Sequence, residues 1–382
     1  MKNKIKYIIY FAIIFISQTF LFPQITRQNE TDWPIYRGDP MLTGQRSGNV
    51  PDNFRLAWTF QTGNDIKSSP VIAQGKVFIG SNDGKVYALS LQQGKKIWTF
   101  DTGDNVQAPP VFISNTIIIG SANGLVYALK AGSGKLIWKY QTDAQVLGSA
   151  NYFFTGKTGK IRIIVGSYDN RLHCLDFLTG KKLWIYETDS YINGSPAVRG
   201  TQIFVGSCDA KIHIVNGQNG KATASIDTGA YIAASPAAAE KELFVGNYGN
   251  RFLKIDLEKK NIAWEYTNNS DPSPFFSSPA LNQSRIIVGA RDFLLHCISR
   301  RSGKKIWTFS TGDEIDSSPV IYGNKIIFAS LDGWIYICKL TDGTEIWSYE
   351  IGQGITSSPA VTADYIVIGA DDGRVYAFKG EK

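Results

Sequence analysis

Three histidines are the first residues that could support chemistry, because imidazole is the commonest metal ligand in proteins. His173, His213 and His296 each lie eleven residues before a tryptophan or before the position that corresponds to one. Other segments carry Tyr87 or Tyr127 at the same position. Equivalent positions of separate repeats cannot converge on one ion, so we expect these histidines to pack in the core and predict no metal site.

The four cysteines show no C-x-x-C spacing of the kind that holds metals or carries redox chemistry. Cys174 and Cys297 stand where other repeats have alanine, and buried cysteine behaves as a small apolar residue. Cys338 lies one residue further along its strand, and Cys208 precedes a turn. We expect structural roles for all four, with disulfide formation as an open alternative in an exported protein.

The repeated aspartates suggest calcium ligands, and the repeated serines suggest nucleophiles. The aspartates, however, recur at one position of a turn, where an Asp side chain bonds the turn backbone. These residues are Asp83, Asp169, Asp209, Asp292, Asp332 and Asp372. Because the Ser-Ser-Pro segments recur without a shared general base that could activate their hydroxyls, we interpret them as strand starts near a channel. We therefore predict no catalytic residues.

The tryptophans reveal the repeat that places all these residues. They are Trp58, Trp98, Trp138, Trp184, Trp264, Trp307 and Trp347, at intervals of 40, 40, 46, 80, 43 and 40 residues. Ala224 lies at the midpoint of the longest interval, which gives eight repeats. The Ser68–Pro70 segment and the Gly80–Gly84 turn also each recur eight times.

Each repeat reads as four short strands. In the first repeat we predict strands at Ser69–Ala73, Lys76–Gly80, Lys85–Leu89 and Lys96–Phe100. The second strand is nearly all apolar in every repeat, which indicates a sheet covered on both faces. The sequence therefore predicts an all-β fold, an eight-bladed β-propeller with four-stranded antiparallel blades.

The two ends of the repeat array predict how the ring closes. The last repeat ends at Val375–Phe378 without a fourth strand, and the strand at Leu56–Phe60 has no strands before it. We expect these halves to complete one blade, which removes an unpaired edge. Extra residues predict a longer hairpin around Gly156–Lys160 and a longer loop within Asn268–Phe276.

The chain divides into three predicted parts. Residues 1–24 are a signal peptide or an N-terminal anchor, because Lys2, Lys4 and Lys6 precede a short apolar stretch. Residues 25–54 form an N-terminal arm, and residues 55–382 form the propeller. We expect an exported monomer in the periplasm or at the cell surface, with membrane association left open.

The net charge of the chain is +7, but the basic residues form no continuous block. We therefore predict no nucleic-acid binding.

The spacing of Ala88, Gly94 and Trp98 resembles the tryptophan-docking motif of PQQ-repeat propellers, in which Trp packs between blades. The resemblance covers about residues 32–378. One branch of that family is the quinoprotein dehydrogenases, and another is the non-enzymatic propellers similar to BamB, a component of the outer-membrane β-barrel assembly machinery. The single ring and the lead-in Asp32–Gly38 resemble the BamB-like branch, although the chain has no lipobox.

The resemblance implies a non-catalytic scaffold that has no cofactor and binds envelope proteins, including β-barrel assembly components. Its expected role is in outer-membrane protein assembly. A PQQ-dependent oxidoreductase is an alternative that we do not favour, because the chain has no adjacent cysteine pair and no identifiable set of cofactor ligands. A carbohydrate-binding propeller that uses Trp334 as a stacking platform is a further alternative.

Departures from the repeat indicate where a partner could bind. Four aromatic residues stand in enlarged loops or at turn positions of two neighbouring blades, and we expect them to form an exposed patch unless they pack locally. They are Phe275, Phe276, Phe293 and Trp334. The residues just before the Ser-Ser-Pro segments should line the channel mouth, and the polar ones are Lys67, Gln107, Asn193 and Asp316.

Overall fold

The computed structural model describes residues 31–156 and 159–381. It confirms an all-β, eight-bladed propeller with four-stranded antiparallel blades. The predicted signal segment, the first residues of the arm and two residues of the long hairpin, Lys157 and Thr158, lie outside the described residues. The part of the chain that is described contains no helix capable of crossing a membrane.

Each blade is a meander of four strands, A to D, with strand A next to the central channel. Blades 1 and 2 consist of β3 (Val71–Ala73), β4 (Lys76–Gly80), β5 (Lys85–Ser90), β6 (Lys96–Asp101), β7 (Val111–Ile113), β8 (Thr116–Gly120), β9 (Leu125–Lys130) and β10 (Leu136–Gln141). Blades 3 and 4 consist of β11 (Asn151–Thr155), β12 (Lys160–Gly166), β13 (Arg171–Asp176), β14 (Lys182–Glu187), β15 (Ala197–Arg199), β16 (Gln202–Gly206), β17 (Lys211–Asn216) and β18 (Ala222–Asp227).

The second half of the ring repeats this arrangement. Blades 5 and 6 consist of β19 (Ala237–Ala238), β20 (Glu242–Gly246), β21 (Phe252–Asp256), β22 (Asn261–Tyr266), β23 (Ala280–Leu281), β24 (Arg285–Gly289), β25 (Leu294–Ser299) and β26 (Lys305–Ser310). Blades 7 and 8 consist of β27 (Val320–Tyr322), β28 (Lys325–Ala329), β29 (Trp334–Lys339), β30 (Glu345–Glu350), β31 (Ala360–Val361), β32 (Tyr365–Gly369), β33 (Arg374–Gly380) and β2 (Phe54–Gln61).

Ring closure follows the prediction. Strand β2 pairs antiparallel with β33, and Trp58 stands opposite Ala377 in that register. The first strand of blade 1 begins at Val71, two residues later than predicted. The reason is that Pro70 has no N–H for the ladder, while the Ser69 hydroxyl accepts the N–H of Ser358 from the neighbouring blade.

Neighbouring blades are joined by the tryptophans of strand D. The indole N–H of Trp58 donates to the carbonyl of Leu91 in the next blade at 2.8 Å. The ring covers Gly94, where a Cβ atom would lie 2.6 Å from the indole and where φ is +66°. Only glycine suits this position, because it tolerates both the left-handed backbone and the close approach. The same contact between an indole ring and a glycine recurs at Trp98, Trp138, Trp184, Trp264 and Trp307.

The N-terminal arm crosses one end of the channel and bonds the innermost strands. Its carbonyls accept N–H groups from six blades. The pairs are Trp33 with Ile72, Pro34 with Phe112, Pro40 with Val198, Met41 with Ala238, Thr43 with Leu281 and Gly44 with Ile321. Strand β1 (Gln45–Arg46) then adds to β27 in parallel. The arm thereby covers the end of the channel at which the A strands end and the A–B hairpins begin.

Candidate functional site

The uncovered end of the channel is a cavity of about 350 Å³. Tyr36 of the arm forms part of its floor, and its hydroxyl lies 3.2 Å from Ser278 Oγ and 3.0 Å from Ser318 Oγ. The D–A loops and the B–C turns surround the opening, because each turn bonds the adjacent loop, as Asn82 N–H does to the Asp65 carbonyl. We call this surface the mouth face.

The four polar residues predicted at the channel mouth, Lys67, Gln107, Asn193 and Asp316, all line this cavity. The Lys67 ammonium lies 2.8 Å from an Asp371 carboxylate oxygen. Asp316 receives two hydrogen bonds from the Arg291 guanidinium, at 2.9 and 2.8 Å. Both charges are therefore already paired within the chain.

A ring of serines connects the blades beneath the mouth. In each step, the backbone N–H of one serine donates to the hydroxyl of the corresponding serine in the next blade. The steps run from Ser149 to Ser195, Ser235, Ser278, Ser318, Ser358 and Ser69, with distances between 2.8 and 3.1 Å. The second serine of the repeated segment thus fixes the channel wall, as its place at a strand start suggested.

The expected patch of four aromatic residues is wrong in part. Phe275 is 1% exposed and packs against Gly246, so it belongs to the core. It occupies the position at which Val106 packs against Gly80 in blade 1. The three extra loop residues precede this position, which made Phe275 look like part of an exposed loop. Phe276, the next residue, does line the cavity.

Phe293 and Trp334 lie at the B–C turns of blades 6 and 7, on the mouth face. Phe293 is 45% exposed and has a φ of +63°, at a turn position that glycine fills elsewhere. Trp334 is half-buried and stacks on Tyr336, with ring centroids 6.3 Å apart. Among the described residues no ring contact joins either of them to Phe276, and their membership of one exposed patch stays a prediction.

A different aromatic cluster borders the mouth. Tyr191, Tyr231 and Tyr248 are 51%, 63% and 43% exposed, respectively. Tyr168 stacks on Tyr191 at 5.1 Å, and Tyr248 meets the Phe276 ring edge-on at 6.0 Å. We call the four tyrosines the tyrosine arc, and Phe276 lies at the end of the arc beside the cavity. Sequence reasoning missed it, although alignment of the repeats would show tyrosine where other blades carry small or polar residues.

Arginine and aromatic groups meet where the arc joins the cavity. The Arg291 guanidinium lies over the Phe276 ring, 4.3 Å from its centroid. The hydrogen bonds from Arg291 to Asp316 raise the pKa of Arg291, so its charge is permanent. Burial raises the pKa of nearby Glu314. This part of the rim is therefore a fixed, largely neutralised polar wall.

The histidines are structural side chains of three separate blades. His173 Nε2 lies 3.0 Å from an Asp169 oxygen, and its Nδ1 lies 3.1 Å from the Tyr140 hydroxyl. Tyr87 bonds Asp83 from the same position in blade 1. Burial would raise the pKa of Asp169, but the hydrogen bond with His173 and the smaller interactions of the carboxylate together outweigh it and hold the pKa of Asp169 below its usual value. Among residues 31–156 and 159–381, no three His, Cys, Asp or Glu side chains cluster as a metal site would require.

The cysteines occupy the positions that the repeat assigns them. Cys174 pairs across the ladder with Trp184, and Cys297 pairs with Trp307. Burial raises the pKa of the Cys174 and Cys297 thiols to about 12 in both cases. These thiols are protonated at neutral pH, and a thiol is a poor nucleophile compared with a thiolate.

The side chains of the cavity do not fit a quinone cofactor. Such a cofactor needs a metal held by carboxylate and amide groups, together with a carboxylate base. Within the described part of the chain, Asp316 is the single carboxylate that lines the cavity, and Arg291 already occupies both of its oxygens. The cavity therefore has neither a metal site nor a free base.

Comparison with known proteins agrees with the repeat pattern. The family model described as outer membrane protein assembly factor BamB matches residues 51–111, 82–308 and 267–382. No curated protein matches the chain.

Three similar solved structures come from different kinds of protein. BamB from Moraxella catarrhalis is 16% identical, with a TM-score of 0.71, over 86% of this chain and 100% of that one. The computationally designed Ika8 protein is 15% identical, with a TM-score of 0.74, over 86% and 100%. The quinohemoprotein alcohol dehydrogenase of Comamonas testosteroni is 14% identical, with a TM-score of 0.77, over 92% and 81%. At such identities these likenesses show the fold alone.

Proposed function

Because the chain belongs to the PQQ-repeat family described as outer membrane protein assembly factor BamB, we propose that it is a non-catalytic scaffold that binds proteins of the cell envelope. The chain is exported to the periplasm or the cell surface by residues 1–24. Its partners include components that assemble β-barrel proteins of the outer membrane. It acts as a monomer.

The observation that carries this proposal is the exposed tyrosine arc. Tyrosine supplies a large, rigid and amphipathic contact surface at a low cost in side-chain entropy, and it is enriched at protein interfaces. Tyr191, Tyr231 and Tyr248 are presented by short loops held by backbone hydrogen bonds. A preformed surface of this kind binds a partner without first having to become ordered.

The cavity rim extends the proposed interface. Phe276 adds an apolar contact beside the arc. The polar groups that can set the register of a partner come from Lys67, Gln107, Asn193 and Asp316. Phe293 and Trp334 stand further round the mouth face and serve as outer contacts. Phe275 takes no part, because it is buried.

Paired charges support a binding role over a catalytic one. The Lys67–Asp371 and Arg291–Asp316 ion pairs leave no carboxylate or amine free to act as a general base among the cavity-lining residues that the structure describes. The buried thiols carry raised pKa values and are poor nucleophiles. Similarity in fold to quinoprotein dehydrogenases does not outweigh these contacts.

Affinity capture from an envelope extract tests the proposal. We compare the wild-type chain with the triple variant Tyr191→Ala, Tyr231→Ala, Tyr248→Ala and identify bound proteins by mass spectrometry. Loss of hot-spot aromatics costs about 2 kcal/mol or more, which is over tenfold in affinity. We therefore expect the triple variant to lose β-barrel assembly proteins that the wild-type chain captures.

The matched control is Leu178→Ala. Leu178 is 76% exposed but lies in a C–D hairpin on the opposite face of the ring, so its removal should leave capture unchanged. Equal recovery by the wild-type chain and the triple variant would refute the proposed interface. Dye reduction with alcohols or sugars after addition of pyrroloquinoline quinone and Ca²⁺ would refute the non-catalytic role.

A further inference from the structure

We propose that the channel cavity is a separate binding site for an uncharged saccharide. This inference does not depend on the protein-binding role of the tyrosine arc, because no tyrosine of the arc lines the cavity, although the two proposed sites share the residues of the cavity rim. Its basis is the set of hydrogen-bonding groups, the charges and the apolar surface that line the cavity.

The serine ring presents hydroxyl donors to the cavity. Ser69, Ser195, Ser235 and Ser358 all line it, and each accepts a backbone N–H from the neighbouring blade. None of these four hydroxyls donates to another group within the described residues. A hydroxyl has one donor and two acceptor sites, so the O–H of each serine remains for a ligand or water.

Two side-chain amides add to this set. Gln107 lines the cavity, and its side chain has no hydrogen-bond partner among the residues described. Asn193 accepts the Tyr168 hydroxyl through Oδ1 at 2.9 Å, which leaves its N–H₂ group as a donor. Amide and hydroxyl groups can both donate hydrogen bonds to the hydroxyl groups of a ligand and accept hydrogen bonds from them.

The charges of the cavity indicate that the ligand is neutral. Of the lining side chains that the structure describes, Lys67 and Asp316 are the charged ones. Their partners, Asp371 and Arg291, already compensate both. An ionic ligand would have to break one of these pairs or enter without a counter-charge, and a buried unpaired charge is costly.

Apolar side chains stand among these polar groups. Phe276, Ala233 and Leu147 line the cavity in blades 6, 5 and 3, and Gln107 stands across the ring from Phe276. A saccharide ring has C–H groups on its faces and hydroxyls around its edge, which matches a lining that combines apolar side chains with hydrogen-bonding groups. The volume of about 350 Å³ lies at the lower end of small-molecule sites, about 300–1,000 Å³.

Isothermal titration of the full-length exported protein tests the site. The neutral probes are glucose, trehalose and cellobiose, and the charged probes are glucuronate and glucosamine. We expect at least one neutral saccharide to bind, with an affinity about tenfold or more above that of the charged probes. The comparison of glucose with the disaccharides shows whether one sugar unit is sufficient.

Two variants and one control locate the binding. Ala233→Phe should fill the cavity and abolish binding, and the fold should tolerate it because Phe276 stands at the equivalent position of blade 6. Gln107→Ala should weaken binding by removing donors without filling space. Ala122→Tyr is the control, since Tyr168 and Tyr248 occupy this mouth-face position in other blades outside the cavity.

Each outcome decides the inference. Binding of a neutral saccharide that Ala233→Phe abolishes and Ala122→Tyr preserves supports it. Absence of binding by every neutral probe overturns it, and so does glucuronate or glucosamine binding as tightly as the neutral probes. Binding that survives in a folded Ala233→Phe variant also overturns it.

Discussion

Trp264 differs from five other docking tryptophans in the hydrogen bonding of its indole N–H. This N–H is buried and has no acceptor among the residues that the structure describes, whereas the N–H of Trp98 donates to the Ala131 carbonyl at 2.9 Å. A buried polar group without a partner costs about 1–3 kcal/mol. The contact between blades 5 and 6 is therefore weaker than its counterparts, although both tryptophans cover a glycine of the next blade.

A matched pair of substitutions measures this difference. We expect Trp98→Phe to destabilise the protein about 1 kcal/mol more than Trp264→Phe, because the first loses a hydrogen bond and the second removes an unsatisfied donor. The measurement is the free energy of unfolding in urea for both variants and the wild type. Equal losses would show that the Trp264 N–H is satisfied in solution.

At the scale of secondary-structure elements, the N-terminal arm makes most of the structural contacts that the repeat itself does not make. It bonds strands of six blades and supplies the cavity floor through Tyr36. Its anchor is Trp33, which is 1% exposed, exchanges two backbone hydrogen bonds with Ile72 and lies under the Arg46 guanidinium at 5.2 Å. The arm thus joins blades that are distant in sequence.

Removal of the anchor side chain tests that role. We expect Trp33→Ala to lower the free energy of unfolding by about 3–5 kcal/mol, as for other buried tryptophans. Trp334→Ala is the control, because Trp334 is half-buried on the mouth face and should cost less. Urea unfolding compares the two, and a smaller loss for Trp33→Ala than for Trp334→Ala would contradict the assigned role.

At the scale of the whole molecule, the propeller ring could be predicted from the sequence, whereas the candidate site on the mouth face could be predicted only in part. Blade number, strand order and closure by the Trp58 strand follow from residues that recur about every 40 positions, since each blade packs by the same contacts. The four polar mouth residues were found because they precede a recurring segment.

Features that do not recur were harder to predict. The path of the arm depends on contacts between distant residues and leaves no periodic signal. Phe275 was assigned to the surface because the inserted residues hid its equivalence to Val106. The tyrosines of the arc escaped notice because tyrosine is also a normal core residue of this repeat, as at Tyr87 and Tyr127.

The central claim is that the mouth face binds a protein partner, and site-specific photo-crosslinking in cells tests it most directly. A photoreactive phenylalanine analogue replaces Tyr231 on the mouth face or Leu178 on the opposite face, which are 63% and 76% exposed. We predict a covalent adduct with an envelope protein from position 231 and none from position 178. No adduct at position 231, or the same adduct at both positions, would contradict the account.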